Sequence, residues 1–263
     1  MLYSLYISFT EWNLFGAPEF VGLKNYITIF RDPRFYESLK NTLLFIAGYL
    51  PVVLVLSMGI ALLLNSKVKR VNIFRGLFFL PVITSWVAVS MIWKGLLNPE
   101  FGIINSIIEF FGGTGPAWLQ DPAFVLPSVI MVSVWKDVGF LSIIFLGGLQ
   151  GISSEYYEAA QIDSASKWQQ FRKITLPLLS PTTFYALIIT IINSFQVFDQ
   201  IWIMTAGEPT ADLVPVMVTE IYKNSFQYQK MGYATALSWI LFAIIIGVTI
   251  FQNVMQKKWV HYE

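Results

Sequence analysis

The sequence has no cysteine and a single histidine, His261. A chain without cysteine forms neither a disulfide nor a thiolate site, and one histidine near the end of the sequence argues against a transition-metal centre. No Gly-Lys pair occurs, which excludes the phosphate-binding loop of P-loop nucleotidases. We therefore expect no metal and no cofactor in this chain, and any nucleotide chemistry must come from a partner.

Charged residues are also scarce. They make up 13% of the 263 residues, whereas soluble domains carry about 25%. The formal net charge of +1 gives no general attraction for nucleic acid, so no nucleic-acid partner is expected. Hydrophobic residues reach 56% and the mean hydropathy is +0.61, which is more apolar surface than a soluble fold could hide. The composition therefore indicates a membrane protein.

The sequence contains several long stretches without charged residues. Four of them span residues 41–66, 76–93, 174–198 and 231–256, and each reaches the roughly 18 residues that cross a bilayer as a helix. A fifth, from Pro122 to Ser154, is interrupted only by Lys136-Asp137. Because backbone polar groups in lipid must be bonded internally, we predict an all-α membrane protein. Its complete transmembrane helices are predicted at 39–65, 76–97, 123–149, 178–205 and 232–255.

The first residues add part of a sixth helix in this interpretation. Residues 1–9 are apolar and aromatic, and we expect them to be the last turns of a helix whose beginning is absent. The alternative is a short segment lying in the membrane interface. The whole chain, 1–263, is interpreted as a single transmembrane domain.

Lysine and arginine predict the orientation. The connection 66–75 holds four cations and no acid, and the connection 150–177 and the C-terminal tail hold further cations. Cytoplasmic loops are enriched in Lys and Arg, so these three segments, with the C-terminus, are expected in the cytoplasm. Segments 10–38, 98–122 and 206–231 then lie outside the cell.

The connection 150–177 has an unusual composition for a membrane loop. It contains Glu158 followed by two alanines, and it closes with Leu176-Pro177. Ser153 or Ser154 is expected to cap a first short helix, and the pair at 163–164, Asp and Ser, offers a cap for a second. Leu176-Pro177 is expected to stop that second helix, because proline disfavours helix at the residue before it. Small residues flanked by acids suit the approach of another protein.

These residues carry a family resemblance. The pattern Glu158-Ala159-Ala160 with Asp163, Ala165, Phe171, Ile174, Leu176-Pro177 and Pro181 resembles the EAA loop of permease subunits in bacterial binding-protein-dependent ABC importers. More narrowly, the chain is similar to the sugar branch related to the membrane subunits of the maltose transporter. Ser164 is a departure, because the family usually has glycine there; serine can instead cap the second helix through its hydroxyl group. A further departure is that family members usually have one more N-terminal helix.

The resemblance implies a type I ABC importer permease, an ATP-driven importer subunit rather than an enzyme. It implies a second permease subunit, a cytoplasmic ABC ATPase dimer that binds ATP and Mg, and an extracytoplasmic binding protein that delivers a carbohydrate. The expected location is the cytoplasmic membrane of a bacterium or archaeon. The residues that it assigns to ATPase coupling are Glu158, Ala159, Ala160, Asp163, Ser164, Ala165 and Pro177.

Polar residues inside the spans are candidates for the transport path, since ionisable groups in lipid are costly. Lys136 and Asp137 lie within 123–149, and a polar cluster follows in 178–205. The resemblance implies path positions at Ser133, Lys136, Asp137, Phe140, Thr190 and Ser194, and the polar cluster adds Asn193 and Gln196 as expected path residues. The alternative is that Lys136 and Asp137 pair with the second permease subunit.

Other classes of protein fit the sequence less well. A secondary transporter or channel would usually show an internal repeat or broken helices, and the docking loop would have no role in it. A membrane enzyme would need a carboxylate or lysine site, and the scattered acids form no convincing constellation.

Overall fold

The computed structural model describes residues 1–65, 76, 78, 80–208, 210, 212–257 and 259–260. The cation-rich connection 66–75 and His261 therefore lie outside the described residues. The described residues are mostly helical, with one two-stranded hairpin. In order, its elements are α1 (Leu2–Ser8), β1 (Thr10–Glu11), β2 (Glu19–Phe20), α2 (Lys24–Arg31), α3 (Pro33–Asn65), α4 (Trp86–Leu96), α5 (Ile103–Phe110), α6 (Pro122–Gln150), α7 (Ser154–Ile162), α8 (Lys167–Gln170), a π-helical turn (Phe171–Thr175), α9 (Leu176–Leu178), α10 (Ser180–Phe195), α11 (Asp199–Thr205), α12 (Met217–Tyr222), a second π-helical turn (Lys223–Gln227) and α13 (Met231–Gln256).

The chain forms two compact units. The first comprises Met1–Gly48, Trp86–Val132 and Ile192–Val248, and the second comprises Tyr49–Ser85, Ser133–Ile191 and Thr249–Glu263. Each has a buried apolar core: Phe45, Leu97 and Met204 in the first, and Phe145 and Leu179 in the second, are almost inaccessible to solvent.

Three helices among the described residues are long and apolar enough to cross a membrane: α3, α6 and α13. A fourth span results if Lys167–Leu178 and Ser180–Phe195 are counted together, although they meet at a bend of 61°. The predicted limits 123–149 and 232–255 agree with α6 and α13 within one residue at each end. Helix α3 begins six residues earlier than predicted, at Pro33, because proline is well suited to the first position of a helix.

The other two predicted spans are broken, so their prediction as continuous helices was wrong. In 76–97, residues 80–83 are helical, Thr84 and Ser85 are not, and α4 starts at Trp86. The Thr84 side chain donates to the Leu80 carbonyl at 3.1 Å, so a hydroxyl group bonds to the last turn before the break. In 178–205, α10 ends at Phe195 and α11 starts at Asp199, where the carboxylate favours a helix N-terminus.

The N-terminal hairpin rests on the start of the last helix. Strands β1 and β2 pair antiparallel, with Thr10 opposite Phe20. The Trp12 carbonyl then accepts the amide of Met231 at 2.9 Å, which satisfies one of the free N–H groups at the start of α13. A Cβ atom at Gly232 would lie 1.9 Å from the Thr10 carbonyl oxygen, so only glycine permits this approach.

Candidate functional site

The first helix of the 150–177 connection presents its predicted docking residues to solvent. Helix α7 begins after Ser153, whose side chain accepts the Glu155 amide at 3.3 Å, which confirms the predicted serine cap. Glu158 and Ala159 are exposed, and Ala160 is half-buried. Ile162 at the end of the helix is 84% exposed, which is unusual for an apolar side chain without a covering partner.

A tight turn joins α7 to α8. Ser164 has a left-handed backbone with φ of 55°, the conformation that the family glycine would provide. The Ala165 amide donates to the Ala160 carbonyl at 2.8 Å and the Ser164 amide to the Gln161 carbonyl at 3.0 Å. This is the hydrogen-bond pattern of a Schellman motif, which satisfies the last carbonyls of the helix. Asp163 is the C-terminal cap of α7.

The cap of the second helix was predicted wrongly. Neither Asp163 nor Ser164 caps it; Ser166 does, in a capping box with Gln169. The Ser166 amide donates to Gln169 Oε1 at 2.7 Å, and the Gln169 amide donates to Ser166 Oγ at 3.3 Å. Because Ser164 occupies the left-handed turn position, it lies too early to serve as the cap.

The second helix also continues further than Leu176-Pro177 predicted. It runs through the π-helical turn and α9 to Leu178, and the 61° bend follows at Leu179. In the π-helical turn the Leu176 amide donates to the Phe171 carbonyl, so the wider turn directly precedes Pro177, which lacks an amide hydrogen. The predicted stop at Leu176-Pro177 was therefore wrong.

Side-chain contacts hold the loop together. The Tyr157 hydroxyl group lies 3.0 Å from Thr175 Oγ1 and ties α7 to the π-helical turn. Trp168 and Phe171 share a face as expected, with ring centroids 5.6 Å apart, yet Trp168 is 67% exposed. The result is a fixed two-helix element that exposes a carboxylate, an alanine and large apolar side chains.

The charged residues of α6 have partners inside the second unit. The buried Lys136 ammonium donates to the Val82 carbonyl at 3.3 Å, at the end of the helical segment that stops before Thr84. The Tyr49 hydroxyl group donates to Asp137 Oδ2 at 2.7 Å. A cation is stabilised at the carbonyl end of a helix. The break in 76–97 therefore creates a favourable position for the Lys136 ammonium, and the ammonium satisfies a carbonyl that the break leaves free.

The remaining path residues divide between surface and interior. In the second unit Ser133 and Thr190 are buried, whereas Phe140 is 41% exposed. In the first unit Ser194 is buried, and Asn193 and Gln196 are exposed. Ser133 and Lys136 share one buried face of α6, three residues apart. Their role in a transport path stays a prediction.

The groups that contact Asp137 and Lys136 could not be predicted from the sequence. Tyr49 is one aromatic residue in a long apolar run, and the Val82 carbonyl becomes available only because the helix breaks after it. The hydroxyl pair Thr84-Ser85 is the one local feature that could have indicated that break.

The sequence of residues 53–261 matches a known protein family, described as "Binding-protein-dependent transport system inner membrane component". The match covers well over half of the chain. This chain belongs to that family. Members are membrane permease subunits of ABC transporters, and the ATPase is a separate subunit, so the permease is not an enzyme.

Curated relatives cover nearly the whole permease. It is 36% identical over 264 residues to the probable ABC transporter permease protein YesP of Bacillus subtilis strain 168, covering 99% of this chain and 85% of that one. It is 32% identical to the arabinooligosaccharides transport system permease protein AraP of the same strain, covering 94% and 79%.

Solved structures show the same fold. A bacterial ABC transporter "involved in the import of the acidic polysaccharide alginate" matches with a TM-score of 0.87 and 26% identity, covering 98% of this chain and 88% of that one. A bacterial alginate ABC transporter in complex with an "alginate pentasaccharide-bound periplasmic protein" matches with a TM-score of 0.82 and 27% identity, covering 90% and 83%. The permease therefore has the ABC importer permease fold, and it is a multi-pass protein of the inner membrane.

Proposed function

We propose that the permease translocates a sugar or oligosaccharide that an extracytoplasmic binding protein delivers. A second permease subunit completes the transport unit, and a cytoplasmic ABC ATPase dimer binds ATP and Mg and supplies the energy. Transport proceeds by alternating access, with the connection 150–177 and the C-terminus on the cytoplasmic side. The observation that carries the proposal is the fixed, exposed two-helix element at 154–178.

The two-helix element suits the transmission of a movement. Its turn is fixed by the Schellman motif at Ser164, its second helix by the capping box at Ser166, and its base by the contact of Tyr157 with Thr175. A force on α7 therefore moves the element as one body. The 61° bend at Leu179 connects it directly to α10, which carries Thr190 and Ser194.

The relatives support a carbohydrate as the substrate class. Their names refer to arabinooligosaccharides and to the acidic polysaccharide alginate. The polar residues of α6 and α10 offer hydroxyl and charged groups that could bind sugar hydroxyl groups. Lys136 and Asp137 each have a hydrogen-bonding partner within this chain, the Val82 carbonyl and the Tyr49 hydroxyl group.

The direct test of coupling is Glu158→Lys. The substitution reverses the charge of an exposed residue in the docking helix, so uptake should fall sharply while the subunit stays in the membrane. The measurement is sugar uptake and ATP hydrolysis by the complete transporter in proteoliposomes. Glu155→Lys, on an exposed residue in the first turn of the same helix, is the matched control. Normal uptake by the Glu158 variant, with normal ATPase binding, would exclude this role.

A further inference from the structure

Helix α2 has an apolar face that nothing in the described chain covers. Leu23, Ile27 and Phe30 are 61%, 51% and 53% exposed, and their spacing places them on one side of the helix. The opposite side is attached to the protein: Ile29 is fully buried, and the Asn25 amide donates to the carbonyls of Ser8 and Thr10, each at 2.9 Å.

We propose that this apolar face of α2 lies in the outer interface of the membrane, in contact with phospholipid. The helix would then lie flat at the surface of the bilayer, with its apolar side chains among the upper acyl chains. The proposal depends on the membrane location of the permease, and not on the identity of its substrate or on coupling to the ATPase.

The apolar face continues onto the first long membrane helix. The Tyr36 hydroxyl group donates to the Phe30 carbonyl at 3.0 Å, and Tyr36 is 54% exposed. Leu43, two helical turns further along the same side of α3, is 48% exposed and lies in the uncharged stretch that begins at Asn41. The exposed apolar face of α2 therefore lies beside a side of α3 that continues, past the exposed Lys40, into an exposed uncharged surface of the span.

The level of α2 follows from Tyr36. This residue precedes Asn41 by five positions, or about 7 Å along a helix. The headgroup layer on each side of a bilayer is about 5–8 Å thick. Tyrosine is enriched at that level, and its contact with Phe30 brings the C-terminal end of α2 there.

The charges beside the apolar face also suit lipid. Lys24 and Arg31 lie along one edge of α2 and are exposed, as is Lys40 on α3. Cationic side chains at the edge of an apolar face can reach lipid phosphate groups while their stems stay in the apolar layer. Lys24 also forms an ion pair with Glu11 at 2.7 Å, and because both side chains are exposed this pair is weak and can exchange with a lipid phosphate group.

The polar edge that carries Lys24 also borders water. Lys24, Asn25 and Thr28 line an open cleft of about 570 Å³ between the hairpin and the start of α13. One short helix thus separates lipid from a hydrated cleft. It also anchors the hairpin whose Trp12 carbonyl accepts the first amide of α13.

The chain has no cysteine, so single-cysteine variants carry a spin label at a defined position. We would label Ile27→Cys and, as the matched control on the next residue, Thr28→Cys. The complete transporter, with cysteine-free partner subunits, would be placed in nanodiscs of phosphatidylcholine and phosphatidylglycerol. Electron paramagnetic resonance then measures collisions of each label with oxygen, which concentrates in lipid, and with a water-soluble nickel chelate.

We expect the ratio of oxygen to chelate accessibility to be several-fold higher at position 27 than at position 28. Phe30→Cys should resemble position 27. Equal access of the chelate to both positions would show that the face is in water, and exclusion of both reagents from position 27 would show that protein covers it. Either result overturns the proposal, and neither affects the proposed transport function.

Discussion

At the scale of single residues, the backbone conformation of Ser164 affects the stability of the permease. Ser164 has a left-handed backbone, which costs an L-residue with a side chain about 1–2 kcal/mol relative to glycine. The turn keeps the geometry that glycine would give, because the two hydrogen bonds to Ala160 and Gln161 are both made. Serine at this position therefore costs stability but still permits the Schellman turn.

Ser164→Gly should stabilise the permease by up to about 1 kcal/mol and leave uptake unchanged, because it removes the left-handed strain but adds freedom to the unfolded chain. Ser164→Val should cost about 1–2 kcal/mol and reduce uptake, since a β-branched residue tolerates this conformation poorly. Melting temperature and uptake rate measure both effects. If the valine variant matched the natural protein in both, the strain at this turn would be unimportant.

Glu220 and Asp212, two acids outside the spans, should change the stability of the permease in opposite directions as pH rises. Burial raises the pKa of Glu220, despite Arg34 at 3.8 Å. Its contribution to stability is therefore fully present below its ordinary pKa and is lost as pH rises through the raised value. Lys223, which donates to Asp212 and attracts it, lowers the pKa of Asp212. That contribution is present above the ordinary pKa and is lost as pH falls through the lowered value.

Glu220→Gln should therefore abolish the loss of stability on the alkaline side of the Glu220 titration. Asp212→Asn should lower stability near neutral pH and remove part of the acid-side loss. Melting temperatures of the two variants from about pH 2 to pH 8 provide the measurement, since the acid-side loss of Asp212 lies below its ordinary pKa of about 4. Parallel pH profiles for both variants and the natural protein would contradict the opposite roles of the two acids.

At the scale of elements, close contacts between backbones decide which segments can meet. The hairpin reaches α13 only because Gly232 has no side chain. The two short helices that follow the breaks, α4 and α11, pack together within the first unit. A helix break inside an apolar stretch leaves free carbonyls, which need partners such as Lys136. These contacts join residues far apart in sequence.

Gly232→Ala should destabilise the permease by about 1–3 kcal/mol and release the hairpin, because neither the new Cβ atom nor the Thr10 carbonyl can move easily. Gly247→Ala in the same helix is the matched control, since a Cβ atom there meets nothing within 4 Å. Melting temperature and protease sensitivity of residues 10–20 would be measured. Equal behaviour of the two variants would show that the hairpin does not depend on this contact.

The whole molecule is a permease subunit of an ABC transporter. Its sequence has no P-loop, and its 150–177 connection has exposed residues that we propose dock on the ATPase. The transport path that we expect crosses residues that are buried in this chain, such as Thr190 and Ser194. Their hydroxyl groups are small, so larger apolar side chains would both fill space and remove polar contacts.

Thr190→Leu and Ser194→Leu should each abolish sugar uptake and leave assembly with the partner subunits intact. Thr183→Leu on the same helix is the control, because among the described residues the Thr183 hydroxyl group donates to the Leu179 carbonyl of its own helical turn. Uptake in proteoliposomes and co-purification of the ATPase measure the two properties separately. Undiminished uptake in the first two variants would place the path elsewhere.

The membrane class, the limits of α6 and α13, and the family all follow from the amino-acid sequence. Uncharged stretches and the alanine pair after Glu158 are local patterns, and a local pattern is readable without knowing what lies beside it. The folded structure was needed to show where two spans break, that Ser166 and not Ser164 caps the second helix of the 150–177 connection, and that Tyr49 and the Val82 carbonyl meet Asp137 and Lys136. These features depend on groups distant in the chain, or on a backbone conformation that a serine rarely adopts, so no short stretch of sequence could specify them.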